Sequence, residues 1–260
     1  MGSAGEPIYV FHVYRKDGVS LFLHPFRKIE RVHALLTKHP VVGHYGREPR
    51  VESLTLFRNE LYRIVEQEVK VWVADARFIP RFLLSSAVFL VAFLFLSIVV
   101  RDPIPVIDEL VISLAASIAV YILLGRKYMR SDEALKRRID LRTRVDQIVF
   151  TESPFIKSIE ELLIECEDET VESTVERLVK TGESLGIDGY DPELQQMTDY
   201  LDSMLSGDEY KQTRKRLRRA QRDKSTRSRD GLQRSLESKK IDVPLLSLYN
   251  RLTQKAERGS

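Results

Sequence analysis

The sequence predicts a mainly α membrane protein: a two-helix transmembrane hairpin, with a small α/β cytoplasmic domain before it and a helical cytoplasmic region after it. Two uncharged runs and the charges beside them carry this reading. Residues 82–100, FLLSSAVFLVAFLFLSIVV, have no ionisable side chain over 19 positions. As a helix they extend ~28 Å, close to the hydrocarbon thickness of a bilayer. Residues 110–125, LVISLAASIAVYILLG, form a second such run, of ~24 Å. Arg126 and Lys127 at its end can snorkel to the headgroups. A helix of a soluble core keeps a polar stripe for solvent, and Ser85, Ser86 and Ser97 do not make one.

The flanking cations orient the hairpin. Lys70, Arg77 and Arg81 precede it, and Arg126, Lys127, Arg130, Lys136, Arg137 and Arg138 follow it. The turn 101–109 sets Arg101 against Asp102, Asp108 and Glu109, so both termini are expected in the cytoplasm. Pro103 and Pro105 stop either helix from crossing that turn. Ser113, Ala116 and Ser117, spaced i, i+3, i+4, offer a small face for close helix packing in lipid. Neither run holds an ionisable group of the kind that marks an ion pathway. A pore would require an oligomer lined by serines.

Composition fixes the remainder. The chain has 260 residues, 43% hydrophobic and 30% charged, with formal net charge +3. Its single cysteine, Cys166, allows no internal disulfide, and it falls on the apolar side of a helix as a small hydrophobe. The net charge conceals an asymmetry. Residues 152–207 carry 15 acidic against 3 basic side chains, and residues 208–240 carry 13 basic against 5 acidic. The expected division is an N-terminal domain over 1–79, the hairpin over 80–125 and a helical domain over 126–207, acidic from 152. A basic helix or disordered tether over 208–240 and a short helix over 241–260 complete it.

Taken in order, Asp17-Gly18 between apolar and aromatic runs signals a hairpin with a two-residue type I′ turn. That turn pairs Tyr14 with Leu21 and Val13 with Phe22. It puts Val10, Tyr14, Leu21 and Leu23 on one face and Tyr9, Phe11, Val13 and Phe22 on the other. With both faces apolar the hairpin needs cover, part of it from a helix over 26–39. In this register His12 and His24 point to opposite faces. With no HExxH spacing and no nearby cysteine, the five histidines (12, 24, 33, 39 and 44) do not suggest a metal site. Residues 39–49 read as a loop by their Gly and Pro. A helix follows from about 51, with Leu54, Phe57, Leu61, Ile64, Val65 and Trp72 near one face, although Val69, Trp72 and Val73 lie in a segment that also alternates like a strand.

Beyond the hairpin, residues 126–150 read as one helix with Ala134, Leu141, Val145 and Ile148 in a stripe. Ser153-Pro154 caps the next, which carries Ile159, Leu162, Leu163, Cys166, Val171, Val175, Leu178 and Val179. Asp191-Pro192 opens another, with Leu194, Met197, Leu201, Met204 and Leu205. The G-x-S-x-G match at 182–186 lacks the preceding strand and the later histidine of a hydrolase elbow. Residues 188–193 lack the alternating ligands of a calcium loop. Residues 208–240 hold few apolar side chains, so little anchoring is expected. Leu245, Leu246, Leu248, Tyr249 and Leu252 form a last apolar patch.

The function expected is a membrane-anchored scaffold or interaction protein, with no cofactor and no catalytic or metal residue. Contacts to anionic headgroups or to an unknown cytoplasmic protein are expected from Arg126, Lys127, Arg130, Lys136, Arg137, Arg138, Arg214, Lys215, Arg218 and Arg222. Nucleic acid is disfavoured, because aromatics do not interleave with these cations. A homo-oligomeric pore or transport subunit, and an enzyme using the N-terminal histidines, are the alternatives.

Overall fold

The computed structural model describes residues 6–16, 18–99, 107–180, 192–223, 225–237 and 241–256. It is mainly helical with a small mixed sheet. Contacts divide the chain into two compact units that do not follow chain order. One joins Met1–Pro25, Lys38–Phe57 and Ile148–Ser260; the other joins Phe26–Thr37 and Arg58–Gln147.

The first unit holds a four-stranded sheet in the order β2-β1-β3-β4. Its strands are β1 (Ile8–Tyr14), β2 (Ser20–Leu23), β3 (Val41–Tyr45) and β4 (Phe150–Glu152). The β1–β2 pair is antiparallel, whereas β1–β3 and β3–β4 are parallel. β3 replaces part of the loop expected over 39–49, and β4 replaces the end of the helix expected over 126–150. Both strands are too short to show a period in the sequence.

The hairpin register differs by one residue from the expected one. Val13 pairs with Leu21 and Tyr14 with Ser20, which leaves three residues between Arg15 and Val19. The Gly18 N–H donates to the Arg15 carbonyl at 3.0 Å, the Arg15 N–H to the Val19 carbonyl at 3.3 Å, and Gly18 has φ +79°. This is the three-residue loop whose last position needs a left-handed glycine. The slip exchanges the faces of β2. Leu21 and Leu23 now share a face with Phe11 and Val13, and Phe22 shares one with Val10 and His12.

Each face has its own cover. Phe11, Val13 and Leu23 lie in one buried core with six downstream helices. These are α6 (Pro154–Asp168), α7 (Val171–Val179), α8 (Pro192–Met204), α9 (Asp208–Asp223), α10 (Thr226–Leu236) and α11 (Val243–Ala256). Polar bonds stitch the hairpin to this bundle: Tyr14 N–H to Glu160 Oε1 (2.8 Å), Tyr9 N–H to Gln196 Oε1 (2.9 Å) and Arg15 Nε to Glu167 Oε1 (2.8 Å). The opposite face meets an aromatic cluster, in which Phe22 stacks on Phe57 at 4.3 Å and Phe150 stands edge-on to both. His12 lies 5.0 Å from Phe22 and His24 5.5 Å from Phe57. The two histidines therefore border one cluster instead of pointing apart.

Of the two expectations for the basic stretch 208–240, helix or disordered tether, the described residues take the helical one, and both helices are anchored. Thr213, Leu217 and Ala220 on α9, and Leu232, Ser235 and Leu236 on α10, are buried. Thr213 Oγ1 and Ser235 Oγ share a hydrogen bond of 2.7 Å, and the Gln221 side-chain amide donates to the Leu178 carbonyl at 2.8 Å. The apolar residues are few, but they are gathered on one face of each helix, and that suffices for docking. Ser153 occupies the cap position of α6 without a side-chain cap bond; its N–H instead donates to the Tyr45 carbonyl at 2.8 Å.

The second unit contains α1 (Ile29–Lys38), the later part of α2 (Val51–Ala76), α3 (Phe78–Val99), α4 (Ile107–Met129) and α5 (Asp132–Asp146). Val69 and Val73 are buried one turn apart on α2, so that segment is helix and not strand. The helix expected over 126–150 breaks at Ser131, which has extended backbone and accepts at Oγ from the Ala134 N–H at 3.4 Å, starting α5 afresh.

Gly43 on β3 faces Phe150 so closely that a Cβ there would lie 2.6 Å from the ring. Gly43→Ala is expected to cost about 1–3 kcal/mol by overpacking. Combining it with Phe150→Leu should recover part of that loss, as read by thermal unfolding of the detergent-solubilised chain. An unchanged melting temperature for Gly43→Ala would contradict the β3–β4 register.

Candidate functional site

Two helices are long and apolar enough to cross a membrane, over Phe78–Ile98 and Ile107–Met129, and little of either is buried. Their large side chains point outward: Val91 and Ile98 are 68% and 70% exposed, and Leu94, Phe95, Val111, Ile112 and Leu123 are exposed as well. Ser85, Ser113 and Ser117 turn inward, whereas Ser97 is exposed and donates to Glu109 Oε2 at 2.6 Å. Ser117 Oγ donates to the Ser85 carbonyl across the helix pair at 2.9 Å, and Ser85 Oγ donates to the Phe82 carbonyl at 3.0 Å. Of the small-residue triplet, Ser113 is fully buried, while Ala116 and Ser117 are partly buried. This distribution is apolar outside with polar atoms between helices, which suits a solvent that cannot hydrogen-bond.

One contact in this hairpin has only a faint signal in the sequence. The Arg81 guanidinium lies 4.0 Å from the centre of the Tyr121 ring, and Nη2 donates to the Tyr121 carbonyl at 3.3 Å. Gly125 makes room for it, because a Cβ there would come within 2.7 Å of Nη2. An isolated glycine inside a helical run is the only hint of such a close approach.

The structure divides the expected surface cations into two groups. Arg137 is held by Glu68 at 2.5 Å and sits 4.8 Å from the centre of the Trp72 ring. Arg138 pairs with Glu66 at 2.8 Å. Arg214 pairs with Asp202 at 2.7 Å, donates to the Leu205 carbonyl at 2.7 Å and lies 4.5 Å from the Tyr249 ring centre. These three arginines hold the fold together. Arg222 is exposed beside Asp223, 3.0 Å away. Arg126, Lys127, Arg130, Lys136, Lys215 and Arg218 are exposed, and none has a carboxylate within ion-pair distance among the described residues. Arg126, Lys127 and Arg130, with Leu123, Tyr128 and Ser131, line a cleft of about 680 Å³ at the α4–α5 corner.

The histidines do not converge. His12 is fully buried, and burial lowers its pKa to about 4, opposed only in part by the Arg47 backbone. His44 Nδ1 lies 2.9 Å from Glu193 Oε1, and His39 Nδ1 lies 3.0 Å from the Glu6 carbonyl. Burial, with the charge of Arg137, also lowers the pKa of His33. Among the described residues no three His, Cys, Asp or Glu side chains are grouped to hold a metal. The G-x-S-x-G match falls outside the described residues, as do positions 188–191 of the acidic loop.

Two predictions follow from these environments. Arg137→Ala leaves the buried Glu68 carboxylate without its partner and should cost roughly 3–5 kcal/mol in thermal unfolding. Arg138→Ala, whose partner Glu66 is more exposed than Glu68, should cost about 1 kcal/mol or less; equal losses would contradict the weight given to the burial of Glu68. His12 must stay neutral in the folded state, so its protonation below about pH 6.5 favours unfolding. Stability should fall as pH drops from 6.5 towards about 4, by on the order of 3 kcal/mol from this group. His12→Leu should flatten that part of the profile, and an undiminished slope would show that another group sets it. Compared with known proteins, the chain matches no family model, no curated protein and no solved structure.

Proposed function

We propose that this is an integral membrane protein with two spans and both termini in the cytoplasm, acting as a membrane-anchored scaffold or interaction protein. The observation that carries the reading is the parallel pairing of β3 with β4, with Gly43 opposite Phe150 and Tyr45 opposite Glu152. β3 precedes the apolar helix pair in the chain and β4 follows it. Strands hydrogen-bonded in one sheet lie on one side of a membrane, so an even number of crossings between them supports a hairpin. The cation excess on the flanks favours the cytoplasmic side.

On this reading the hairpin holds a folded unit of sheet and helices at the inner leaflet. Its exposed Lys215, Arg218 and Arg222 on α9 present positive charge to an acidic protein surface, with encounter accelerated by electrostatic steering. Headgroup contacts at Arg126, Lys127 and Arg130 add to the anchoring.

Two measurements on the full chain test this. Alkaline carbonate and high salt should leave the protein in the membrane pellet, and detergent should release it; release by carbonate alone would overturn the anchoring. Chemical cross-linking in native membranes should give a specific adduct with an acidic protein. Replacing Lys215, Arg218 and Arg222 with Gln should reduce that adduct at least several-fold. An adduct indifferent to these substitutions would remove α9 from the interface.

A further inference from the structure

The cleft at the α4–α5 corner combines three features. It is concave, with a volume of about 680 Å³ and walls from Leu123, Arg126, Lys127, Tyr128, Arg130 and Ser131. Its three cations are exposed and have no carboxylate partner among the described residues. It begins where the apolar run of α4 ends, at Gly125-Arg126.

The arrangement has a local cause. Arg126 and Lys127 stand on the last turn of α4, and Arg130 follows in the turn just beyond it, its N–H donating to the Lys127 carbonyl at 3.1 Å. The helix then breaks at Ser131, whose extended backbone caps α5 and which is the last residue lining the cleft. The nearest acids are mostly engaged. Glu133 is held by Arg77 at 2.5 Å, and the same guanidinium lies 5.6 Å from the centre of the Tyr128 ring. Asp132, exposed in the first turn of α5, is the remaining carboxylate beside the corner. Three cations against one exposed acid leave the cleft positive.

We propose that this cleft binds the phosphate of an anionic phospholipid headgroup. The inference rests on the membrane reading above, which sets the cleft at headgroup depth. Guanidinium groups match a phosphate by paired N–H donors, and the lysine adds a compact charge. Leu123 and Tyr128 supply an apolar and amphipathic wall along which the glycerol and upper acyl chain can lie. A free phosphate would satisfy the cations alone, and only a lipid also uses the apolar wall.

The test uses the full chain reconstituted in vesicles of phosphatidylcholine mixed with phosphatidylglycerol. Native mass spectrometry after gentle detergent extraction counts the lipids retained. The wild-type protein should retain phosphatidylglycerol in preference to phosphatidylcholine. Arg126→Gln with Lys127→Gln and Arg130→Gln should abolish the preference, at about fivefold per cation removed. Lys215→Gln with Arg218→Gln and Arg222→Gln, on α9, should leave it intact. If the first triple variant loses its melting transition, Lys127→Gln alone gives the reading, with about a fivefold loss expected. Retention of phosphatidylglycerol by these variants at the wild-type level would overturn the proposal. Displacement of the lipid by inorganic phosphate would reassign the cleft to a free anion and overturn it too. Carbonate extraction of the wild type runs in parallel. A carbonate-resistant protein without lipid preference defeats the cleft alone, whereas a carbonate-released protein defeats the membrane reading itself.

Discussion

The parallel pairing of β3 with β4 is the constraint on which the architecture depends. It joins residues 43–45 to residues 150–152 across the whole apolar helix pair. Ordering so long a loop is entropically unfavourable, and three bridged positions offset little of that alone. The surrounding contacts supply the rest. Phe150 packs edge-on to Phe22 and Phe57, Ser153 is tied to Tyr45, and Glu160 on α6 accepts from the Tyr14 backbone. One end of the chain thus completes a fold begun at the other. In a bilayer, such closure favours a hairpin with its two flanks on one side.

Charge serves two different ends in this molecule. Arg137, Arg138 and Arg214 lie against carboxylates, carbonyls and aromatic rings of the same unit, so their charge is satisfied internally. Arg126, Lys127, Arg130, Lys215 and Arg218 remain exposed. A basic run in sequence does not distinguish these groups. For Arg137 and Arg138 the distinction arises from α2, which supplies Glu68 and Glu66, and for Arg214 from Asp202 on α8.

What could be read in the sequence follows the strength of the periodic signal. α3 and α4 are legible because hydropathy over some twenty residues is a signal that tertiary contacts do not erase. The heptad-like spacing of Leu194, Met197 and Leu201 shows α8 equally well. β3 and β4 are not legible, since five and three residues carry no period and their identity as strands depends on distant partners, β1 for β3 and β3 for β4. The hairpin was legible as a hairpin but its register was not. Asp-Gly suits both two- and three-residue loops, and only packing of Phe22 on Phe57 and of Leu23 in the helical core distinguishes them. The docking of α9 and α10 was missed because composition averages over a helix, while burial acts on one face: Leu217, Ala220, Leu232 and Leu236 suffice. Within the candidate site, the cations were legible as residues, and their cleft was not, because it depends on the break at Ser131.

Labelling from one side of the membrane tests the account most directly. In a Cys166→Ser background, single cysteines at the exposed positions Glu48 and Glu152 flank the hairpin on either side. A membrane-impermeant maleimide is applied to sealed vesicles of each orientation. The account predicts that both positions react in inside-out vesicles and neither in right-side-out ones. Reaction of one position from each side would break the β3–β4 sheet and contradict the two-span hairpin.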